Sequence, residues 1–151
     1  MTEGRAESTG AGEVSGTSAD TRRPDGPEPR LYQAPFACVW DELLRYVRRR
    51  PSWKLVLSDE DLGLISVRCV NPVLRFVDDL TVWVALDGNG LTRVDALSRA
   101  RRRDFDLGAN RRRIRRMLLW LDRALGPAAR LSESAGTAEP GPPSEALPGA
   151  S

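Results

Sequence analysis

The 151-residue sequence contains no histidine, two cysteines and a single lysine. Without histidine, the chain cannot form a Ser-His-Asp triad, a histidine acid–base pair or a histidine metal site. Two cysteines are too few for a four-thiolate zinc site or a disulfide framework. No apolar run approaches the roughly 20 residues that a transmembrane helix needs. We therefore expect a protein that is not an enzyme, needs no cofactor and does not span a membrane.

Both ends of the chain are poor in large apolar residues. Residues 1–30 and 126–151 consist largely of Gly, Pro, Ser, Ala, Thr and Glu. Such segments bury too little apolar surface to offset the entropy of ordering, so we expect two disordered tails around one domain at residues 31–125. The sequence opens without the basic start and apolar stretch of a secretory signal, and we expect a cytoplasmic protein.

The near-neutral total charge of +2 hides a separation of charge along the chain. Residues 31–125 contain 18 basic and 12 acidic side chains, whereas each tail carries a net charge of −2. Nine arginines lie between residues 99 and 116. This charge separation is compatible with a general role in solubility; alternatively, the acidic tails screen the basic surface from unwanted polyanions.

Hydrophobic periodicity predicts a helix, four strands and a second helix. Residues 35–50 and 106–125 each place an apolar stripe on one helical face, with Asp106 as a candidate N-cap. Alternating apolar and polar residues predict four strands, at Trp53–Ser58, Gly63–Val70, Val77–Asp87 and Leu91–Ala100. We therefore expect an α+β fold of two layers, in which both helices pack on one face of a four-stranded antiparallel sheet, in the order α-β-β-β-β-α.

The last two predicted strands can be aligned from their turn. A three-residue loop sets Asp87 opposite Leu91 and therefore Asp79 opposite Arg99. This register gives the hairpin one apolar face for the core. The other face then carries two large apolar side chains, Trp83 and Leu97. Three interpretations are open: an ordinary exposed patch, a surface for a partner, or a surface covered by one of the tails.

The sequence also predicts which cysteines and which residues of the first strand are buried. Cys38 and Cys69 are expected to be buried as small hydrophobic side chains. In the first predicted strand, strict alternation places Trp53, Leu55 and Leu57 on the same side, facing the core.

Several short motifs resemble the bacterial and plastid family catalogued as domain of unknown function 1499. The resemblance covers about residues 31–125, the whole predicted domain. It implies little about activity, because that family is defined by lacking an assigned function. The motifs that carry it are, in order, Ala34-Pro35-Phe36 with Val39-Trp40, Phe76-Val77-Asp78-Asp79, Thr92-Arg93-Val94-Asp95, Ser98-Arg99, and the run from Asp106-Leu107-Gly108 to Arg115.

A polar cluster at the end of the last hairpin and the start of the second helix is the candidate functional site. Arginine offers paired donors to a carboxylate or phosphate, and a helix N-terminus offers free N–H groups to an anion. The same residues are also compatible with a structural ion-pair network and a self-capped helix. The candidate anion-binding residues are Asp79, Arg99, Arg101, Asp106, Asn110 and Arg113.

The sequence thus predicts a non-catalytic binding or adaptor domain with an anion-binding polar cluster. One alternative is a polyanion-binding surface formed by the arginines of residues 99–116, directed at nucleic acid or anionic lipid. Another is a small-molecule or lipid pocket between the helices and the sheet. No sequence-specific nucleic-acid motif is present, and the sequence does not identify a partner, although an acidic protein or a polyanion is compatible with the charge.

Overall fold

The computed structural model describes residues 18–102, 108–126 and 130–131 of the chain. Two helices and seven strands make up this part of the molecule. In chain order they are β1 (Ser18–Asp20), β2 (Arg30–Tyr32), α1 (Phe36–Arg48), β3 (Trp53–Asp59), β4 (Leu64–Val70), β5 (Val77–Leu86), β6 (Thr92–Ala100), α2 (Ala109–Leu125) and β7 (Arg130–Leu131).

The strands form one antiparallel sheet in the order β3-β4-β5-β6-β2-β7, and β1 also pairs with β6. β1 and β2 lie one after the other along the same edge of β6, with Ser18 opposite Arg99 and Tyr32 opposite Thr92. The sheet is therefore six strands wide. The predicted α+β class with an antiparallel sheet and two helices is confirmed, but the predicted number of four strands was wrong.

The N-terminal strands account for most of this difference. The composition predicts a disordered tail over residues 1–30, but Ser18–Asp20 and Arg30 pair with β6. The hydroxyl of Thr21 donates to Asp95 (3.2 Å) and accepts the N–H of Ala96 (2.8 Å), and Ala19 is buried. The free hydrogen-bonding edge of β6 orders this polar segment, which local composition cannot reveal. The other tail residues, 1–17, 127–129 and 132–151, lie outside the described residues.

The core lies between the two helices and one face of the sheet. Apolar side chains of α1 and α2 pack with those of β4, β5 and β6 in a single buried cluster. Leu43 of α1, Ile114 and Leu121 of α2, and Ile65 and Leu80 of the sheet are all at most 1% exposed. Each such side chain contributes about 1.5–3 kcal/mol through burial. The apolar stripes of the predicted helices therefore face the sheet as expected.

The register of the β5–β6 hairpin is as predicted, with Asp79 opposite Arg99. On the outer face, Trp83 and Leu97 are half-buried rather than fully exposed. The guanidinium of Arg22, which follows β1, lies 4.2 Å from the centre of the Trp83 ring. Three interpretations of the patch formed by Trp83 and Leu97 were open, and the structure shows that an N-terminal segment covers part of it.

A β-bulge in β3 reverses one predicted orientation. The pairing with β4 shifts between Leu55, which is opposite Val67, and Leu57, which is opposite Ser66. Val56 is the extra residue of the bulge, so Leu57 points to the outer face and is 44% exposed. The expectation that Leu57 faces the core was therefore wrong, because alternation cannot show an inserted residue.

Two further local predictions differ from the structure. Helix α2 begins at Ala109, after Gly108 with a φ of +72°, rather than at Asp106, which lies outside the described residues. Cys69 is buried as expected, but Cys38 is exposed. Cys38 is the third residue of α1 and lies on the opposite side of the helix from the buried stripe that contains Val39. Apolar neighbours in sequence therefore do not bury it.

Candidate anion-binding cleft

Three connections of the fold meet at one end of the sheet. The end of α1 leads into β3, β4 turns into β5 between the paired residues Val70 and Val77, and β6 ends opposite Asp78 before the chain enters α2. This arrangement brings residues about 60 positions apart in sequence together. The candidate site lies where these connections meet.

A cleft of about 430 Å³ opens at this end. Its wall combines aromatic side chains from α1 and β3 with arginines from the end of α1 and from α2, and no acidic residue lines it within the described part of the chain. Its main side chains are Tyr46, Arg50, Trp53, Arg112, Arg113 and Arg116. The volume is within the range of small-molecule sites, roughly 300–1,000 Å³.

Arg50 is held in place by aromatic rings. Its guanidinium carbon lies 3.5 Å from the centre of the Tyr46 ring and 5.0 Å from the centre of the Trp53 ring. Its Nη1 also donates a 3.0 Å hydrogen bond to the carbonyl oxygen of Tyr46. Arg50 follows α1, where cationic side chains interact favourably with the helix C-terminus. Its charge is therefore fixed at the cleft before any ligand arrives.

Arg113 is anchored by a buried polar network on the helix side of the sheet. Its Nη1 donates to Ser98 Oγ (2.8 Å) and to Asn110 Oδ1 (2.6 Å), and its Nη2 donates to Asp78 Oδ2 (2.5 Å). Ser98 Oγ in turn donates to Asn110 Oδ1 (2.6 Å). Ser98 and Asn110 are fully buried, so these bonds satisfy groups that would otherwise be costly to bury. This network fixes the start of α2 to the ends of β5 and β6.

Arg112 and Arg116 have no such anchor. They are exposed, lie four residues apart on α2 and both line the cleft. No acidic residue within the described ranges forms an ion pair with either side chain. Arg50 and Arg113 also line the cleft, and among the described residues Asp78 is the one carboxylate that contacts these four arginines. The described residues therefore give the cleft a formal excess of three positive charges. This excess attracts an anion.

Two titratable groups near the cleft stay protonated at neutral pH. Burial raises the pKa of Tyr46, although the charges of Arg50, Arg116 and Arg113 oppose the shift. Burial likewise raises the pKa of Cys69 to about 12, with Arg113 again opposing. Neither side chain is therefore available as an anionic nucleophile near neutral pH.

Five of the six predicted site residues are described, and the structure divides them between the two sides of the sheet. Asn110 and Arg113 belong to the buried network beside the cleft. The other described members, Asp79, Arg99 and Arg101, lie on or near the outer face, where Arg101 makes a two-bond contact with Asp79 (2.8 and 3.0 Å). Asp106 lies outside the described residues. Neighbouring residues of a strand point to opposite faces, so Asp79 is separated from Arg113 by the sheet.

Some residues of the cleft and its network were not among the predicted site residues. Asp78 and Ser98 both fall on the core face of the predicted hairpin, where an unexplained polar side chain already suggests a buried network. No sequence pattern pointed to Arg50 and Trp53, because they come next to α2 only when the chain folds. Tyr46 belongs to the buried side of α1, and its position in sequence is typical of an ordinary core residue.

No group of three or more potential metal ligands occurs among the described residues. Over the same ranges, no helix has the length and apolar character needed to cross a membrane. The donor groups of the cleft are guanidinium N–H groups, which bind anions rather than metal cations.

A model of the family described as "Protein of unknown function (DUF1499)" matches residues 11–121. The match confirms the resemblance seen in the short motifs, and it contains the elements that form the cleft. It begins well before Leu31 and thus includes β1, in agreement with the pairing of that strand in the sheet. No curated protein matches the chain.

Proposed function

The chain belongs to the DUF1499 family, and because that family is described as having no known function, we propose one from the cleft itself. The protein binds small anions that carry a phosphate or carboxylate group, and it binds them without chemical turnover. The observation that carries this proposal is that four arginines line one cleft, while only one carboxylate of the described part of the chain, that of Asp78, contacts them.

Arginine suits this role because its planar guanidinium forms two parallel hydrogen bonds with a carboxylate or a phosphate. Arg50 and Arg113 are already held by rings and by the buried network, so little side-chain entropy is lost when they bind. Arg112 and Arg116 are exposed and can close on the bound group. The ring of Trp53 offers an apolar surface to the remainder of the ligand.

The geometry favours this cleft over the two alternatives raised by the sequence. The described arginines of residues 99–116 divide between the outer face, with Arg101, and the cleft, with Arg113, so they do not form one continuous polyanion surface. The space between the helices and the sheet is filled by buried apolar side chains, whereas the cleft opens at the end of the sheet.

The proposal is tested by isothermal titration calorimetry of the full chain with glycerol 3-phosphate and with citrate at low ionic strength. We expect the R112E/R116E variant to bind at least about tenfold more weakly, because charge-assisted hydrogen bonds are replaced by repulsion. The matched control is R115E/R123E, which changes the net charge equally at exposed α2 positions outside the cleft.

The control variant should retain most of the wild-type affinity. An equal loss in both variants would mean that net charge, rather than the cleft, governs binding. Absence of binding to either probe by the wild-type chain would contradict the proposed function. Circular dichroism should be the same for all three proteins, since the substituted side chains are exposed.

A further inference from the structure

The loop between β4 and β5 presents two aliphatic side chains to solvent directly beside the cleft. Val73 is 83% exposed and Leu74 is 59% exposed, while the preceding residues Asn71 and Pro72 line the cleft. Scattered apolar residues are common on protein surfaces, but two at the tip of one loop form a small apolar projection. This projection consists of Val73 and Leu74 and is called the apolar tip below.

The exposure of the apolar tip is fixed by the loop itself. The side-chain oxygen of Asn71 accepts the N–H groups of both Val73 and Leu74 at 2.9 Å. The N–H of Arg75 donates to the carbonyl of Asn71 at 2.8 Å, and Arg75 adopts a left-handed φ of +55°. The N–H of Asn71 donates to the carbonyl of Phe76, which closes the loop. The backbone is thus held in a conformation that keeps both aliphatic side chains outside the core.

Charge is distributed unevenly between the two ends of the sheet. The end with the cleft carries Arg48 at the end of α1, Arg49 and Arg50 directly after it, Arg75 in the loop, and Arg101 and Arg102 after β6. These six arginines outnumber the acidic residues at the same end of β5, which are Asp78 and Asp79. The turns at the opposite end, residues 59–63 and 87–91, contain four acidic residues and no basic one. The molecule therefore has a basic end and an acidic end, and a negatively charged surface would orient the basic end, with its apolar tip, toward itself.

We propose that this end docks on the surface of an anionic lipid bilayer, with the apolar tip inserted between lipids and a lipid phosphate bound in the cleft. The inference rests on the proposed function, because the cleft supplies the phosphate site. Stable attachment of a peripheral protein takes two signals, and here the apolar tip and the arginines provide them. A nucleic acid would engage the arginines but would offer no apolar environment to Val73 and Leu74.

The test is co-sedimentation of the full chain with vesicles of phosphatidylcholine, alone or mixed with phosphatidylglycerol. The wild-type protein should bind only the mixed vesicles. The V73S/L74S variant should partition into them about tenfold less, because the inserted apolar surface is lost. Its titration with glycerol 3-phosphate should be unchanged, since neither side chain lines the cleft.

The matched control is L62S/L86S. Leu62 and Leu86 are comparably exposed but lie at the acidic end, so their replacement should leave vesicle binding unchanged. Equal vesicle binding by V73S/L74S and the wild type would overturn insertion and leave purely electrostatic attraction. Binding to duplex DNA in preference to the mixed vesicles would also overturn the proposal.

The results distinguish failure of the docking from failure of the proposed function. If glycerol 3-phosphate binds but the mixed vesicles do not, membrane docking is wrong and the anion-binding cleft stands. If neither binds, both proposals are wrong. The R112E/R116E variant should lose both activities.

Discussion

Asp78 and Asp79 are adjacent in sequence and chemically identical, but the sheet gives them opposite roles. The side chains of Asp78 and Arg113 are each 14% exposed and meet within the buried network. Those of Asp79 and Arg101 are 42% and 48% exposed and pair in solvent. Replacing each aspartate by asparagine removes one charge and keeps the size of the side chain, so the two variants compare the same chemical change in two environments.

We expect D78N to lower the free energy of unfolding by about 3 kcal/mol. Removing one partner of a buried ion pair typically costs about 3–5 kcal/mol, because the remaining charge stays buried, and the small residual exposure here favours the lower value. For a domain of roughly 100 residues, such a loss lowers Tm by about 10–20 °C. D79N should leave Tm nearly unchanged, since solvent and salt screen an exposed pair.

The assay is urea unfolding followed by tryptophan fluorescence, with Tm from circular dichroism. A double-mutant cycle with R113M then isolates the Asp78–Arg113 coupling. The double variant D78N/R113M should recover much of the stability that D78N loses, because no unpaired charge is left inside. The reasoning fails if D78N and D79N are equally stable, or if D79N is the more damaging change.

Three further predictions concern Cys69 and Gly63. Near neutral pH, N-ethylmaleimide should modify the exposed Cys38 and spare Cys69, whose pKa is raised by burial to about 12; peptide mass spectrometry reads both sites, and equal labelling would contradict that burial. Because the pKa is raised in the folded state, the thiol stabilises the fold below its usual pKa of 9.0, and this stabilisation is lost as the pH rises toward 12. A C69V variant should therefore show a shallower fall of Tm at alkaline pH. G63A should destabilise by about 3 kcal/mol or more, because Gly63 has a φ of +61° and a Cβ there would lie 2.0 Å from the carbonyl oxygen of Val84. In G88A, where nothing lies within 4 Å, chemical denaturation should show almost no change, and a similar loss in both variants would refute the steric argument.

The elements with one buried and one solvent-facing side were predictable from sequence. In β5 and β6, apolar residues alternate because every second side chain enters the core, and one three-residue turn then determines the whole register. The same logic identified both helices. It failed at Val56, where one inserted residue changes the face of Leu57 without changing the composition.

Elements that are stabilised by contacts with distant parts of the chain were not predictable from their own sequence. Ser18–Asp20 has no apolar alternation, and it forms a strand because β6 offers it hydrogen-bond partners and Thr21 finds two polar contacts there. The prediction included Arg113, which lines the cleft, and Asn110, which lies beside it, because both follow the predicted start of the second helix. Arg50 was not included, because its neighbours at the cleft are set by the packing of α1 against α2.

The pairing of β1 with β6 has a practical consequence for recombinant fragments. A fragment that starts at Leu31, where composition suggests the domain begins, would leave the backbone N–H and carbonyl groups of residues 97–99 without their partners. Such a bare strand edge readily recruits a strand from another molecule, which leads to aggregation or strand exchange between copies. Expression boundaries are therefore best placed upstream of Ser18, so that the short N-terminal strand protects the sheet from self-association.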